Sequence, residues 1–273
     1  MALRHMLAPE LAASTLERII IYGRAGIGKT RMALSLPPRY GDIIYYAADT
    51  NTEFLASISP KKRNRVIVIK PETGSPIENF MQFAMQDWAS QYPAAKTIVV
   101  DTFSKIALDC ITQSANSGSM DREKHYIIGD PTKGGQSIPN RGDYQAIESL
   151  SRGFLNMLFE KQKKHHIVFV CHEDVKIVEG VHATGGPAHP GRAMLEYLPA
   201  QFNTVIRLIR DEVLTPDNTV ESVVVAVTEN DGKFIAKVRT ADEVNPNPIG
   251  RVVLDRDPVN FWTKYDAIYA PTV

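Results

Sequence analysis

A glycine-rich octet between an apolar run and a helical pattern constrains the fold of this chain more than any other feature. In "IIIYGRAGIGKTRMAL", residues 19–34, the octet GRAGIGKT occupies residues 23–30 and satisfies the pattern G-x-x-x-x-G-K-[ST]. The apolar run before it is typical of a strand, and the pattern after it is helical until Pro37 and Pro38 stop it. This order of strand, loop and helix predicts an α/β fold with a phosphate-binding loop.

The octet has the chemistry of a nucleotide site. Its glycines let successive backbone N–H groups face phosphate oxygens, and the helix that follows adds partial positive charge. Lys29 is predicted to reach the β- and γ-phosphates of a nucleotide, and Thr30 to supply a hydroxyl to Mg²⁺. The predicted nucleotide-binding residues are Gly23, Arg24, Ala25, Gly26, Ile27, Gly28, Lys29, Thr30 and Arg31.

The other apolar runs predict a mostly parallel central sheet flanked by helices. They are continuous rather than alternating, which is typical of strands covered on both faces. These runs occupy residues 42–48, 65–70, 96–101 and 167–171. Helical patterns cover residues 75–92, with Ser75 as the N-cap, and residues 143–164, while a short helix is expected after residue 101.

The C-terminal third predicts further strands and sets the domain limits. Strands are expected at about 204–209, 222–228 and 233–239, and "TENDG" is a hairpin turn signal between the last two. We predict a single α/β domain over residues 18–240, preceded by a segment over 1–17. Residues 241–273 are predicted to form an extension that packs on the core.

Acidic residues and a histidine follow the predicted strands. Asp101 ends the run "TIVVD" and is predicted, with Thr30, to serve the metal. Glu53 and Asp49 follow the run at 42–48 and are candidates for orienting the attacking water; Glu53 is favoured for its longer reach, and helix capping is the alternative. His172 directly follows "IVFVC", where it senses the γ-phosphate or is simply a hydrogen-bonded residue at a strand end.

Composition limits the partners and the compartment. The 31 Lys and Arg residues balance 31 Asp and Glu residues, so nucleic-acid or membrane binding requires local patches. The two cysteines, Cys110 and Cys171, form no CxxC pair and are too few for a zinc cluster, which favours a reducing, cytoplasmic compartment. No apolar run approaches the ~18 residues of a membrane span, so no membrane partner is expected.

The order of these parts resembles the RecA-like P-loop ATPases, in particular the small phage Sak-type recombinase and annealing proteins. "GRAGIGKT" resembles Walker A, "IVVDTFS" resembles Walker B, and "FVCHE" lies at the sensor strand, with a histidine where RecA has glutamine. The resemblance spans roughly residues 18–240 and implies a RecA-like core with a C-terminal β-hairpin extension. It also implies ATP and Mg²⁺ as cofactors.

Two irregular segments lie where RecA-like proteins have their DNA-binding loops, at about 112–142 and 172–202. The resemblance implies contact with single-stranded DNA, for which mobile, glycine-rich and locally basic loops are suited. The predicted DNA-binding residues are Arg122, Lys124, Lys133, Arg141, Lys176, His182, His189 and Arg192. The alternative is that both segments are solvated loops of an ordinary NTPase.

The segment "GKFIAKVRT" resembles the hairpin from which RecA-type proteins reach a neighbouring subunit's ATP site, which makes Lys237 and Arg239 candidate catalytic residues in trans. The resemblance thus implies a DNA-dependent ATPase that forms a homo-oligomeric ring or filament, with a single-strand-binding protein as a further partner. The resemblance further implies that this ATPase supports phage-type recombination or strand annealing inside the bacterial host. The alternatives are a helicase-like motor and an ATP-switched DNA-binding module with little hydrolysis, and a small-molecule kinase ranks third.

Overall fold

Strands and helices alternate along much of the chain. A computed structural model describes residues 16–48, 52–71, 74–117, 127–128, 136–137, 139, 141–178, 182–214, 217–238, 249–255 and 258–269. The strands are β1 Arg18–Gly23, β2 Asp42–Ala47, β3 Val66–Ile69, β4 Ala95–Asp101, β5 Ile127–Ile128, β6 Gln136–Ser137, β7 His166–Val178, β8 His182–Pro187, β9 Thr204–Leu214, β10 Val220–Val227, β11 Lys237–Val238 and β12 Arg251–Leu254. The α-helices are α1 Lys29–Ala33, α2 Pro60–Arg63, α3 Pro76–Met85, α4 Trp88–Gln91, α5 Phe103–Ser117, α6 Arg141–Lys161, α7 Met194–Ala200 and α8 Val259–Tyr269, and 3₁₀ turns cover Pro38–Tyr40 and Glu53–Ser57.

A mostly parallel sheet runs through the centre of the fold. Its strand order is β12-β10-β9-β1-β7-β4-β2-β3. The strands from β9 to β3 in this order are parallel to their neighbours, whereas β10 is antiparallel to both β9 and β12. The predicted α/β class, with a mostly parallel sheet flanked by helices, is confirmed. The phosphate loop follows β1, and Asp101 is the last residue of β4. Because β7 lies between these two strands, the loop and Asp101 are one strand apart at the same edge of the sheet.

Each central strand contributes to two cores, one on each face of the sheet. Ile20 and Tyr22 of β1 pack in the core that contains residues of α3, α5 and α6, and Ile19 and Ile21 pack in the core that contains residues of α1 and α8. This burial on both faces explains why the strands are continuously apolar in sequence. The indole of Trp262 in α8 donates a hydrogen bond to the carbonyl of Met32 at 3.1 Å, which ties the C-terminal helix to α1.

The helix expected over 75–92 is interrupted. Its predicted start is confirmed, since the Ser75 hydroxyl accepts a hydrogen bond from the Glu78 N–H at 3.2 Å and Pro76 is the first helical residue. Gln86 is extended, however, and Asp87 caps a separate helix, α4. The Gln162 amide donates to the carbonyls of Ala84 and Gln86, satisfying backbone acceptors that the break exposes. The short helix expected after residue 101 extends instead to Ser117 as α5.

The segment predicted to be irregular over 172–202 is largely regular. Strand β7 continues to Val178 and pairs antiparallel with β8, so these two strands form a hairpin that starts at the sheet edge where β1 ends. The hairpin predicted at "TENDG" is also wrong, because β10 and β11 both pair with β9 and not with each other. The antiparallel hairpin at the C-terminal side is formed by β9 and β10 instead. Within the described ranges, no helix is long and apolar enough to cross a lipid bilayer.

Candidate nucleotide site

The phosphate loop, residues 23–30, connects β1 to α1 through a backbone that requires glycine. Gly28 precedes α1 with φ 101°, in the left-handed region. Gly23 has φ 156°, and a Cβ on it would lie 2.5 Å from the carbonyl oxygen of Leu208 on β9. The loop can therefore lie this close to β9 only because its first residue has no side chain.

Lys29 is held inside the loop. Its ammonium donates to the carbonyl oxygens of Gly23 at 3.0 Å and Arg24 at 2.8 Å, and the residue is 6% exposed. Burial lowers the pKa of Lys29 below its usual value, and the nearby charge of Asp101 acts in the opposite direction. The phosphate oxygens of a nucleotide would compete with the two carbonyls for this ammonium, which suits the predicted role of Lys29.

Asp101 and Thr30 meet although they lie 71 positions apart in the sequence. The Thr30 hydroxyl donates to Oδ2 of Asp101 at 2.5 Å, and the Tyr45 hydroxyl donates to the same oxygen at 3.0 Å. A hydroxyl and a carboxylate are hard oxygen donors of the kind that Mg²⁺ binds together with nucleotide phosphates. These residues therefore fit a nucleotide-bound Mg²⁺. The described residues include no cluster of three or more His, Cys, Asp or Glu side chains that would hold a metal on its own.

A cavity of about 560 Å³ lies over the loop. It is lined by residues 25–31 and by Tyr45, Ser57, Asp101, Thr102, His172 and Val224. Sequence reasoning missed Tyr45, whose only signal was a tyrosine inside the apolar run of β2. Of the two candidates for orienting water, Glu53 is exposed at the start of the 3₁₀ turn that gives Ser57 to the lining, but it does not line the cavity itself. Asp49 lies outside the described residues.

His172 is brought to the cavity as predicted, and its backbone is fixed by α5. The N–H of His172 donates to the Ser104 hydroxyl at 3.0 Å, and that hydroxyl donates to the carbonyl of Ala188 at 2.7 Å. The Ala188 N–H in turn donates to the carbonyl of His172 at 2.7 Å. Next to it on β7, Cys171 is fully buried, and burial raises the pKa of its thiol to about 12, which disfavours the nucleophilic thiolate.

Two of the predicted DNA-binding residues, one from each loop, converge on one groove. We name it the arginine groove; its volume is about 690 Å³, and it is lined by Arg141, Tyr144, Gln145, Glu148, Pro190, Arg192, Ala193 and Glu196. Tyr144, in the first turn of α6, is 42% exposed. The Glu148 carboxylate accepts the Ala193 N–H at 2.9 Å, which anchors the segment before α7 to α6.

The structure contradicts one of the DNA-binding predictions. His189 is 4% exposed, and its Nδ1 accepts the Gly191 N–H at 2.9 Å while its Nε2 lies 2.8 Å from the Ser151 hydroxyl. This histidine shapes the turn before Arg192, and its burial removes it from any surface that DNA could touch.

The other predicted DNA-binding and trans-acting residues are only partly covered. Lys176 and His182 lie on the paired strands β7 and β8, and their side chains are outside the described part of the chain. Arg122, Lys124, Lys133 and Arg239 also lie outside it. Lys237 is half-buried on β11, opposite Val205, and does not line the cavity of its own chain.

A charged cluster connects the β7–β8 hairpin to the strands beside the loop. Arg207 on β9 donates to the Glu173 carboxylate at 2.7 Å and lies 3.1 Å from the ring centre of Phe234. The backbone of Gly185 in β8 is hydrogen-bonded to the backbone of Lys233 and Ile235, the two residues that flank Phe234 in the sequence. The segment 228–236 thus contacts both the hairpin and β9.

Comparison with known proteins places the chain in a family. The model of the family AAA_24, described as an AAA domain, matches residues 16–240. Among solved structures, the chain is similar to the flagellar accessory protein FlaH from Methanocaldococcus jannaschii, with 15% sequence identity, a TM-score of 0.41, and coverage of 88% of this chain and 89% of that one. No curated protein sequence matches. A particular closeness to Sak-type proteins stays a prediction, but a P-loop ATPase of AAA type is shown: the chain belongs to the AAA_24 family of AAA domains.

Proposed function

We propose that this chain binds and hydrolyses Mg²⁺-ATP, binds single-stranded DNA, and supports phage-type homologous recombination or strand annealing as a ring or filament. One observation carries the DNA part of the proposal. His172 at the nucleotide cavity is hydrogen-bonded to Ala188, and only three residues separate Ala188 from Arg192 in the arginine groove. A change at the γ-phosphate therefore has a short backbone route to the proposed DNA surface.

The arginine groove has suitable chemistry for a single strand. Guanidinium groups of Arg141 and Arg192 pair with phosphates, and the exposed ring of Tyr144 offers a face on which a base can stack. Both arginines are exposed. The groove also contains two carboxylates, those of Glu148, which accepts the Ala193 N–H, and Glu196, and their negative charges oppose phosphate binding.

The proposed phosphate chemistry starts from Lys29, Thr30 and Asp101, which line the cavity. Lys29 balances charge on the β- and γ-phosphates, and Thr30 and Asp101 hold Mg²⁺, which when bound neutralises developing charge on the phosphates. A water molecule oriented by Glu53 or Asp49 attacks the γ-phosphate, and ADP and inorganic phosphate are the products. Lys237 and Arg239 of a neighbouring copy supply further positive charge at the same phosphate.

The test of the proposal is ATP turnover with Mg²⁺, measured alone, with single-stranded DNA and with duplex DNA. We expect several-fold stimulation by the single strand only. Changing both Arg141 and Arg192 to alanine is expected to lower single-strand affinity by at least about tenfold, since each loses a charged phosphate contact, and to leave basal turnover unchanged.

Arg152→Ala is the matched control for this pair. Arg152 is an exposed arginine on the same helix, α6, but it lies 4.2 Å over the ring of Tyr197 and outside the arginine groove. Equal loss of DNA affinity in both proteins would show that general positive charge, and not this groove, binds DNA. ATP turnover that is indifferent to DNA would leave an ATPase without the nucleic-acid role.

Lys237→Ala tests the trans arrangement. We expect it to abolish DNA-stimulated turnover and to spare nucleotide binding, because Lys237 is absent from the cavity of its own chain. Mixing this variant with Lys29→Ala protein is expected to restore part of the turnover, since one copy then supplies an intact loop and its neighbour the lysine. Lys233→Ala is the control, because Lys233 is an exposed lysine in the segment before β11. Failure of the mixture to recover any activity would argue against sites shared between copies.

A further inference from the structure

We propose that Tyr45 is a positioning residue that aims the Asp101 carboxylate at the nucleotide-bound Mg²⁺. The inference rests on the Mg²⁺-ATP part of the proposed function and is independent of DNA binding. It assigns a role to a side chain on β2, a strand that contributes neither Lys29, Thr30 nor Asp101.

The sheet register explains how Tyr45 reaches Asp101. Strand β2 is parallel to β4, with Tyr45 opposite Val99 and Ala47 opposite Asp101. Because side chains alternate along a strand, Tyr45 projects from the same face as Val99 and Asp101 and is the diagonal neighbour of the carboxylate. Its long side chain spans this diagonal and places the hydroxyl 3.0 Å from Oδ2.

The same carboxylate oxygen is shared with Thr30, at 2.5 Å. The Thr30 hydroxyl is also the group expected to bind Mg²⁺ through its oxygen, whereas Tyr45 stays buried on its strand, at 2% exposure. The Tyr45 hydroxyl is therefore a donor that can keep the carboxylate oriented while Thr30 serves the metal. Hydrogen bonds to charged groups are among the stronger ones in proteins, which makes this contact suited to orienting a carboxylate.

A purely structural role makes a different prediction. If the contact with Asp101 only satisfies a buried phenol, removing the hydroxyl changes stability and leaves the metal requirement as it was. If Tyr45 positions the carboxylate, removing the hydroxyl weakens the response of nucleotide binding to Mg²⁺. Equilibrium metal dependence, measured without turnover, separates the two.

The experiment compares Tyr45→Phe with Tyr46→Phe. Tyr46 is the adjacent residue of β2, is 3% exposed, and packs on the opposite face with its ring 4.4 Å from that of Phe83. Binding of a fluorescent ATP analogue is titrated with Mg²⁺ and, separately, in EDTA. We expect Tyr45→Phe to raise the Mg²⁺ concentration for half-maximal binding by about tenfold, with metal-free binding within about twofold of the unmodified chain. Tyr46→Phe is expected to leave both unchanged.

A folded Tyr45→Phe protein with the unmodified Mg²⁺ requirement would overturn the proposal. If that variant does not fold, 3-fluorotyrosine at position 45 replaces it, because this residue keeps the ring and strengthens the donor. It is expected to lower the Mg²⁺ requirement, and no change would equally overturn the proposal. In an Asp101→Asn background the effect of Tyr45→Phe on Mg²⁺ should disappear. An unmodified chain that binds nucleotide without any Mg²⁺ dependence would instead contradict the Mg²⁺-ATP assignment itself.

Discussion

Lys29→Ala is expected to lower ATP turnover by at least about a hundredfold, the usual cost of removing a charge that stabilises a transition state. The ammonium is the group that can move from the carbonyls of Gly23 and Arg24 to the phosphates. Nucleotide affinity should fall as well, because the same charge faces the bound phosphates. Steady-state turnover and equilibrium binding of an ATP analogue measure the two effects separately.

Lys105→Ala is the control for that substitution. Lys105 is a more exposed lysine on α5 that pairs with Asp109 in the next helical turn, so its removal changes net charge equally without touching the loop. Its turnover should equal that of the unmodified chain, as surface ion pairs contribute little. Turnover of Lys29→Ala within about threefold of normal, in protein that still binds ATP, would show that hydrolysis does not use this loop.

Gly23→Ala is expected to destabilise the fold by about 2–6 kcal/mol. The added Cβ would lie 2.5 Å from the carbonyl oxygen of Leu208, and this backbone atom belongs to a strand buried in the sheet, so it cannot move aside. Overpacking costs about 1–3 kcal/mol, and the glycine-specific backbone conformation adds about 1–3 kcal/mol. Because domains are stable by only about 5–15 kcal/mol, chemical denaturation should show a clearly lowered midpoint.

Gly153→Ala in α6 provides the opposite case. A Cβ at Gly153 meets nothing within 4 Å, and the residue lies inside a long helix. Alanine is expected to stabilise the protein by about 0.5–1 kcal/mol, because it restricts the unfolded chain and favours helix. If both variants shift the denaturation midpoint in the same direction, the close approach of the loop to β9 does not control stability.

The nucleotide site was predictable because its parts are local in sequence or end apolar runs, although His172 lies inside β7 and not at a strand end. The phosphate loop is one continuous octet, and Asp101 and His172 end apolar runs whose parallel arrangement brings them to one edge of the sheet. Tyr45 was not predictable, because its contact with Asp101 depends on the register between β2 and β4, and no single segment encodes a register. Arg141 and Arg192 could be proposed separately but not as two sides of one groove, because the groove depends on the packing of α6 against the segment before α7.

The errors in the predicted fold arose where local sequence signals did not determine which strands pair. Glycines at 180, 185, 186 and 191 led to the prediction that residues 172–202 are irregular, yet β8 uses Gly185 to accommodate the ring of Phe234. The "TENDG" signal does mark a turn, since the Asp231 carboxylate accepts the N–H groups of Lys233 and Phe234. The chain after this turn pairs with β9 instead of returning along β10, and turn chemistry alone does not specify the partner strand.

The contact between Phe234 and Gly185 restricts how related sequences can diverge. A side chain at 185 would overlap the Phe234 ring, and the Arg207 guanidinium lies over the same ring. Any larger residue at 185 therefore requires a smaller one at 234, and loss of the ring leaves Arg207 without its stacking partner. Among related sequences, substitutions at positions 185, 207 and 234 should therefore occur together. A set of homologous sequences would show this contact as correlated substitutions.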